Sequence, residues 1–189
     1  MEKLITPRLF LVPFKPEIVQ AAILGNAELA RVLGVTVLPN WPDEEFVQIL
    51  PAIADILSKN PLQAEWGWGS LIIHTADNTL IGHVMLKIIP DETGSPTGLL
   101  ELGYLIVSSY QRQGYASEAA KAMLNWAFCQ PNVRTMTAGC DADNIASQRV
   151  LEKIGMHHVE TRGQMLVWKL NKTDIIENEA KSSVSKGEI

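Results

Sequence analysis

The stretch ELGYLIVSSYQRQGYASEA, residues 101–119, decides the fold of this chain. Its first half is an apolar run with β-branched and aromatic residues up to Val107, which predicts a strand. Ser108 and Ser109 interrupt the run, and a segment rich in helix formers begins after Gly114. A loop that enters a helix presents unpaired backbone N–H groups at the positive end of the helix dipole. The order strand, tight loop, helix therefore predicts a site for phosphate oxygens.

The loop residues fit this use. Gly114 and Ala116 are too small to keep a diphosphate away from the main chain, and Arg112 adds a positive charge beside it. By itself the pattern is also that of an ordinary strand-to-helix turn. It is neither a Walker A loop, which needs Gly-Lys-Ser/Thr, nor a Gly-x-Gly-x-x-Gly fingerprint.

A second motif, DNIASQRVLEKIGM, occupies residues 143–156. Asn144 is predicted to cap a helix whose buried stripe includes Leu151, and Gly155 to end it. Together with Gln111-x-x-Gly114-x-Ala116, this segment resembles the two motifs of the GNAT superfamily of N-acetyltransferases, in the same order and with a strand between them. The opening Thr6-x-Arg8-Leu9 resembles the branch that holds the ribosomal-protein N-terminal (alanine/serine) acetyltransferases.

The resemblance implies a mixed α/β (α+β) GNAT fold. Such a fold has a central twisted, mostly antiparallel sheet of about seven strands with a splayed fourth strand, and about four flanking helices. Residues 1–170 are expected to form this acetyltransferase domain. Residues 171–189 are polar and are expected to be a frayed or disordered tail.

Local patterns predict several further elements. Helices are expected over about residues 16–24 and 27–33, and the helix after Asp43 should be kinked or split at Pro51. Strands are expected over residues 65–75 and 80–90, followed by a loop over residues 91–98. A closing hairpin is expected around Arg162-Gly163.

Composition narrows the function. The 189 residues are 47% hydrophobic and 20% charged, with a formal net charge of -5. The negative charge argues against nucleic acid as a partner, and no apolar run is long enough to span a membrane. The cytoplasm is the expected location and a monomer or homodimer the expected state. Cys129 and Cys140 are expected to be buried, and His74 and His83 to be structural or surface residues rather than ligands, so no metal is expected.

The resemblance implies acetyl-CoA as co-substrate. Leu105 and Val107 would lie at the thioester carbonyl through their backbone, and Asn144 would bind the pantetheine arm. The full set of residues that the resemblance assigns to the cofactor is Leu105, Val107, Gln111, Arg112, Gln113, Gly114, Tyr115, Ala116, Asn144 and Ser147.

Two residues are candidates for catalysis. An amine must lose a proton before it attacks, and Glu101 is predicted to accept this proton through ordered water, the alternative being a solvent-facing charge. Ser147 is predicted to contact the cofactor or to protonate the leaving thiolate. Many relatives have a tyrosine acid where this chain has Leu151. Trp41, Trp66 and Trp68 are expected either to wall the acceptor site or to pack in the core.

The leading hypothesis is an N-acetyltransferase that acts on a primary amine, either a protein N-terminus or a small molecule, by direct attack in a ternary complex. The alternatives are a non-catalytic acyl-CoA sensor or interaction module, and a nucleotide-binding domain of another fold.

Overall fold

The computed structural model describes residues 1–175. Its described helices are α1 Pro16–Leu24, α2 Asn26–Leu33, α3 Glu44–Lys59, α4 Pro61–Trp66, α5 Tyr115–Cys129 and α6 Ile145–Lys153, with a 3-10 turn at Ser108–Tyr110. Its described strands are β1 Leu4–Ile5, β2 Leu9–Pro13, β3 Thr36–Val37, β4 Ser70–His74, β5 Thr79–Pro90, β6 Pro96–Ile106, β7 Thr135–Asp141, β8 His157–Arg162 and β9 Met165–Asn171.

These strands form a mostly antiparallel sheet, so the predicted mixed α/β class is confirmed. The described part has nine strands and six α-helices, where the resemblance implies about seven and about four. Short elements such as β1, β3 and α4 leave little periodicity in a sequence. Of the predicted tail, residue 171 ends β9 and residues 172–175 are helical; residues 176–189 lie outside the described part.

The chain forms two compact units. The first unit comprises Met1–Lys87 and Gly103–Met123, and the second comprises Ile88–Leu102 and the described residues from Leu124 onward. Strand β6 therefore begins in the second unit and ends in the first. A single domain over residues 1–170 stays a prediction of the sequence.

In the first unit, β2 pairs antiparallel with β4, and β4 pairs antiparallel with β5. Leu9 and Leu11 of β2 are fully buried, and α3 buries Phe46, Leu50, Ile53 and Leu57. The side chain of Asp43 caps α3 by accepting a hydrogen bond from the Phe46 amide at 2.8 Å. Pro51 does not split this helix, since the buried residues on both sides of it hold the two halves in one hydrophobic face.

In the second unit, β7 pairs in parallel with β6 over Leu99–Glu101 and antiparallel with β9 along its whole length. Strands β8 and β9 form the predicted hairpin. Helix α6 begins where predicted, because the Asn144 side chain accepts a hydrogen bond from the Ser147 amide at 3.0 Å.

Three local predictions were wrong. Glu65 and Trp66 end helix α4, which starts at Pro61, a residue suited to the first turn of a helix; β4 begins only at Ser70. The predicted loop over residues 91–98 is shorter, because β6 already begins at Pro96. Cys129 is exposed at the end of α5, whereas Cys140 is buried as expected.

Candidate functional site

The loop between β6 and α5 has the predicted order of strand, turn and helix. Strand β6 ends at Ile106, the 3-10 turn follows, and α5 begins at Tyr115. Arg112 has φ 59° and Gly114 has φ 85°, so the backbone turns twice through the left-handed region. Successive amides in such a turn point into a common concavity, which favours the binding of an anion.

Among the described residues, the amides at the start of α5 have no partner and are free for a ligand. Within residues 1–175 no hydrogen-bond acceptor is found for the backbone N–H groups of residues 114–117. The first helical hydrogen bond runs from the Glu118 amide to the Gly114 carbonyl at 3.0 Å. The free N–H groups and the helix dipole therefore produce a positive potential at this turn.

Side chains between β6 and the first turn of α5 contact other groups of the protein. Gln111 Nε2 donates to the Ile106 carbonyl at 2.8 Å, and Gln113 Nε2 lies 3.5 Å from the Ser109 carbonyl. The Tyr115 side chain is buried, and its hydroxyl lies 3.0 Å from His74 Nε2. Arg112 is exposed, so its guanidinium is accessible to an anion in solution. Tyr115 can therefore serve a cofactor only through its backbone.

The two residues predicted to lie near the thioester, Leu105 and Val107, make different backbone contacts. The Val107 amide donates to the Ile81 carbonyl at 2.9 Å, so it is not available to a thioester oxygen in this conformation. Leu105 lies against β5 at Gly82, where a Cβ would overlap the Leu105 carbonyl oxygen. The Ile81-Gly82 pair thus fixes the end of β6 by close backbone contact.

The second unit carries the other predicted residues. Glu101 is exposed and lies opposite Thr137 on β7. Asn144 uses its side-chain oxygen as the cap of α6, which leaves its amide nitrogen as the group that could donate to a ligand. Leu151 is fully buried, so this position packs the core in place of a tyrosine hydroxyl.

The three tryptophans predicted for the acceptor wall are buried. Trp41 is 0% exposed, and Trp66 and Trp68 are each 8% exposed. Trp41 packs against Phe46 and the edge of His83, with ring centroids 6.1 and 6.4 Å away. The indole N–H groups of Trp41 and Trp68 have no hydrogen-bond partner within residues 1–175. Core packing explains their burial, and a role in the acceptor wall stays a prediction.

His83 is a buried histidine stacked on Phe46, with the ring centroids 4.1 Å apart. Burial lowers the pKa of His83 from 6.5 to about 4, although the negative charge of Asp43 opposes the shift. His83 is therefore neutral at physiological pH, and its ring packs against Phe46 as an aromatic group.

This burial makes stability depend on pH. Between pH 6.5 and about 4, the unfolded chain binds a proton at His83 that the folded chain does not, so stability falls as the pH falls. Over this window the free energy of unfolding should drop by about 3 kcal/mol through this group. Urea unfolding across this range should show a flatter pH profile for His83→Phe, which keeps the ring stack. A profile as steep as that of the wild type would contradict the assignment; His157→Phe, which removes an exposed imidazole, is the control.

Sequence reasoning missed the polar contacts that support the loop. Arg8 Nη1 donates to the Gln113 carbonyl at 3.0 Å, and Tyr110 donates its hydroxyl to Asp77 at 2.6 Å. These partners lie tens of residues apart in the chain. The Thr6-x-Arg8 opening was the available signal, but it gave no indication of which residues it contacts.

Comparisons with known proteins agree with this geometry. The family model described as "Acetyltransferase (GNAT) domain" matches residues 8–157. The chain belongs to the GNAT acetyltransferase family.

Proteins similar in sequence or in structure are also named as acetyltransferases. The N-acetyltransferase YjdG of Bacillus subtilis, which is uncharacterized, is 34% identical over 151 residues, covering 79% of this chain and 86% of YjdG. A GNAT-family acetyltransferase structure from Bacillus anthracis has a TM-score of 0.60 at 21% identity, covering 90% of this chain and 99% of that one. The ribosomal L7/L12 alpha-N-protein acetyltransferase RimL, solved with coenzyme A, has a TM-score of 0.57 at 17% identity, covering 89% of this chain and 96% of RimL.

This GNAT acetyltransferase is thus an enzyme of a family whose members bind coenzyme A. In the part of the chain that the structure describes, no cluster of three or more histidine, cysteine, aspartate or glutamate residues could hold a metal ion. None of the helices in that part of the chain has both the length and the hydropathy of a membrane span.

Proposed function

We propose that this GNAT acetyltransferase moves the acetyl group of acetyl-CoA to a primary amine. The amine nitrogen attacks the thioester carbonyl directly in a ternary complex, the C–S bond breaks, and coenzyme A leaves as a thiolate. The amine proton passes to a base. A thiolate is a good leaving group, since an ordinary thiol has a pKa of about 8.5.

One observation carries the proposal: the free amides of residues 114–117 at a turn that passes through the left-handed region at Arg112 and Gly114. This arrangement suits the diphosphate of coenzyme A. The exposed Arg112 guanidinium would add a charge-assisted contact. Gln111 and Gln113 would act through the loop shape that their side chains maintain, and Ala116 by leaving space.

In the first unit, Leu105 would place a backbone group at the thioester. In the second unit, Asn144 would donate its amide N–H to the pantetheine arm, Ser147 would contact the cofactor or the leaving thiolate, and Glu101 would serve as the base. Water or Ser147 would supply the proton that the family tyrosine supplies elsewhere, because Leu151 is buried and apolar.

The acceptor is proposed to be either a protein N-terminus or a small-molecule amine. The net charge of -5 favours an amine-bearing acceptor over an anionic one. RimL, a structural neighbour, is named for a protein α-amine as its acceptor. Trp41, Trp66 and Trp68 are proposed as wall residues of the acceptor site.

Release of free thiol from acetyl-CoA tests the proposal. The panel should contain peptides with N-terminal alanine or serine, the same peptides with a blocked N-terminus, polyamines and amino acids. Turnover with at least one unblocked amine, and none with the blocked peptides, is the expected result. Calorimetric binding of coenzyme A without turnover of any amine would contradict the proposal and favour a sensor.

Glu101→Gln tests the base. The substitution keeps the shape of the side chain but removes its ability to accept a proton, so kcat should fall by about 100-fold while the Kd for coenzyme A stays the same. Steady-state kinetics and calorimetry measure the two quantities. Glu92→Gln, another exposed carboxylate of the second unit, is the matched control. An unchanged kcat in Glu101→Gln would remove Glu101 from the mechanism.

A further inference from the structure

Arg8, the residue before β2, binds two residues of the segment that begins α5, Gln113 and Glu118. Its Nε and Nη2 atoms each lie 2.7 Å from Glu118 Oε2, and its backbone N–H donates to Glu118 Oε1 at 3.0 Å. Its Nη1 donates to the Gln113 carbonyl at 3.0 Å. The guanidinium also lies over the ring of Tyr115, 4.4 Å from the centroid.

Thr6 is a second residue that binds the Glu118 carboxylate. Its hydroxyl donates to Glu118 Oε1 at 2.6 Å. Burial by itself would raise the pKa of Glu118, but the hydrogen bonds from Thr6 and Arg8 outweigh it and lower the pKa below its ordinary value. Glu118 therefore carries its charge at neutral pH, and the cluster is a charged, multiply bonded contact rather than a simple surface ion pair.

The location of this cluster gives it a function. Gln113 directly precedes the free amides of residues 114–117, and Glu118 directly follows them. Arg8 binds both ends of this segment, so one guanidinium holds the backbone carbonyl before the amides and the side-chain carboxylate after them. Preorganised donors lose less entropy when an anion binds than donors that must first be ordered.

We infer that Arg8 is a positioning residue for the anion-binding loop: by holding the Gln113 carbonyl and the Glu118 carboxylate together, it keeps the amides of residues 114–117 directed at the diphosphate of coenzyme A. This inference rests on the proposed function. Arg8 acts through the loop rather than on the ligand, because Nε, Nη1 and Nη2 all bind protein oxygens.

The first test compares two thioesters in Arg8→Met. S-acetylpantetheine has the reacting thioester but lacks the diphosphate, so it reports on everything except the loop. The KM for acetyl-CoA and the Kd for coenzyme A should rise by about 10-fold or more, with kcat retained. The kcat/KM for S-acetylpantetheine should not change. Arg8→Lys should recover little of the lost affinity, since an ammonium group cannot make the directed set of hydrogen bonds that a planar guanidinium makes.

A matched control exists in the same unit. Arg31 makes a bidentate pair with Glu28 at 2.6 and 2.8 Å, without any contact to the loop. Arg31→Met therefore removes one guanidinium and one bidentate ion pair while leaving the loop unchanged. It should leave the Kd for coenzyme A unchanged.

Glu118→Gln separates positioning from electrostatics. It removes a negative charge beside an anion site, so charge alone would strengthen the binding of coenzyme A. If Arg8 instead contacted the diphosphate directly, losing its carboxylate partner would also release it for binding. Positioning predicts the opposite: the Kd should rise by about 5-fold or more, because Arg8 loses its anchor.

The outcomes are distinct. An unchanged Kd for coenzyme A in Arg8→Met, or tighter binding in Glu118→Gln, overturns the inference. An equal loss of activity toward both thioesters together with a lower melting temperature would show a general structural role and also overturn it. Failure of the wild type to bind coenzyme A would instead defeat the proposed function itself.

Discussion

Replacing Gly114 with glutamate is expected to weaken the binding of coenzyme A by about 1,000-fold or more. Gly114 is the first of the four residues whose amides are free, and its φ of 85° is costly for any other residue. A glutamate side chain would bring bulk and a negative charge to the place proposed for the diphosphate. Its carboxylate would also compete with Glu118, since a Cβ at this position would lie 3.5 Å from Arg8 Nη2. Isothermal titration with coenzyme A measures the loss.

Two controls separate the causes. Gly114→Ala adds the backbone strain without the charge and should weaken binding by only about 10-fold. Gly34→Glu places the same charge at another left-handed glycine, with φ 66° and no atom within 4 Å of its Cβ, and should leave binding unchanged. Wild-type affinity in Gly114→Glu would remove this loop as the diphosphate site.

Replacing Gly82 with alanine is expected to lower the free energy of unfolding by about 4 kcal/mol or more. The new Cβ would overlap the carbonyl oxygen of Leu105 and come within 3.0 Å of Ile106 Cα. Both obstacles are backbone atoms, so relief requires β5 and the end of β6 to separate. Because the Val107 amide binds the Ile81 carbonyl, that separation would also break a hydrogen bond at the strand end.

Urea unfolding followed by circular dichroism measures this effect. Gly34→Ala is the control, because it introduces a methyl group at a left-handed position without any steric overlap. It should cost only about 1 kcal/mol. If Gly82→Ala were no more destabilised than Gly34→Ala, the close contact between β5 and β6 would be wrong.

The elements that carry their own local signals were predictable from the sequence. Asn144 and Gly155 mark the two ends of α6, and the apolar run before Ser108 marks the end of β6. Each of these signals lies within a few residues of the feature that it specifies, so no tertiary information is needed.

Features that depend on distant partners were not predictable. Nothing near Val107 in the sequence shows that its amide is taken by Ile81, and nothing near Arg8 points to Glu118. Strand and helix periodicity fixes which face of an element is apolar, but not which neighbour supplies the next polar group. The exposure of Cys129 was missed for the same kind of reason, since the end of a helix can lie on either side of the boundary with solvent.

The burial of Leu151 limits which side chains can be introduced at this position. Its side chain is enclosed on all sides, so a tyrosine introduced there would have to fit a larger, hydroxyl-bearing ring into filled space. Leu151→Tyr is therefore expected to melt at a lower temperature than the wild type, because the ring has no room at this position. An engineer who wished to add a phenolic proton donor to this enzyme would have to choose another position for it.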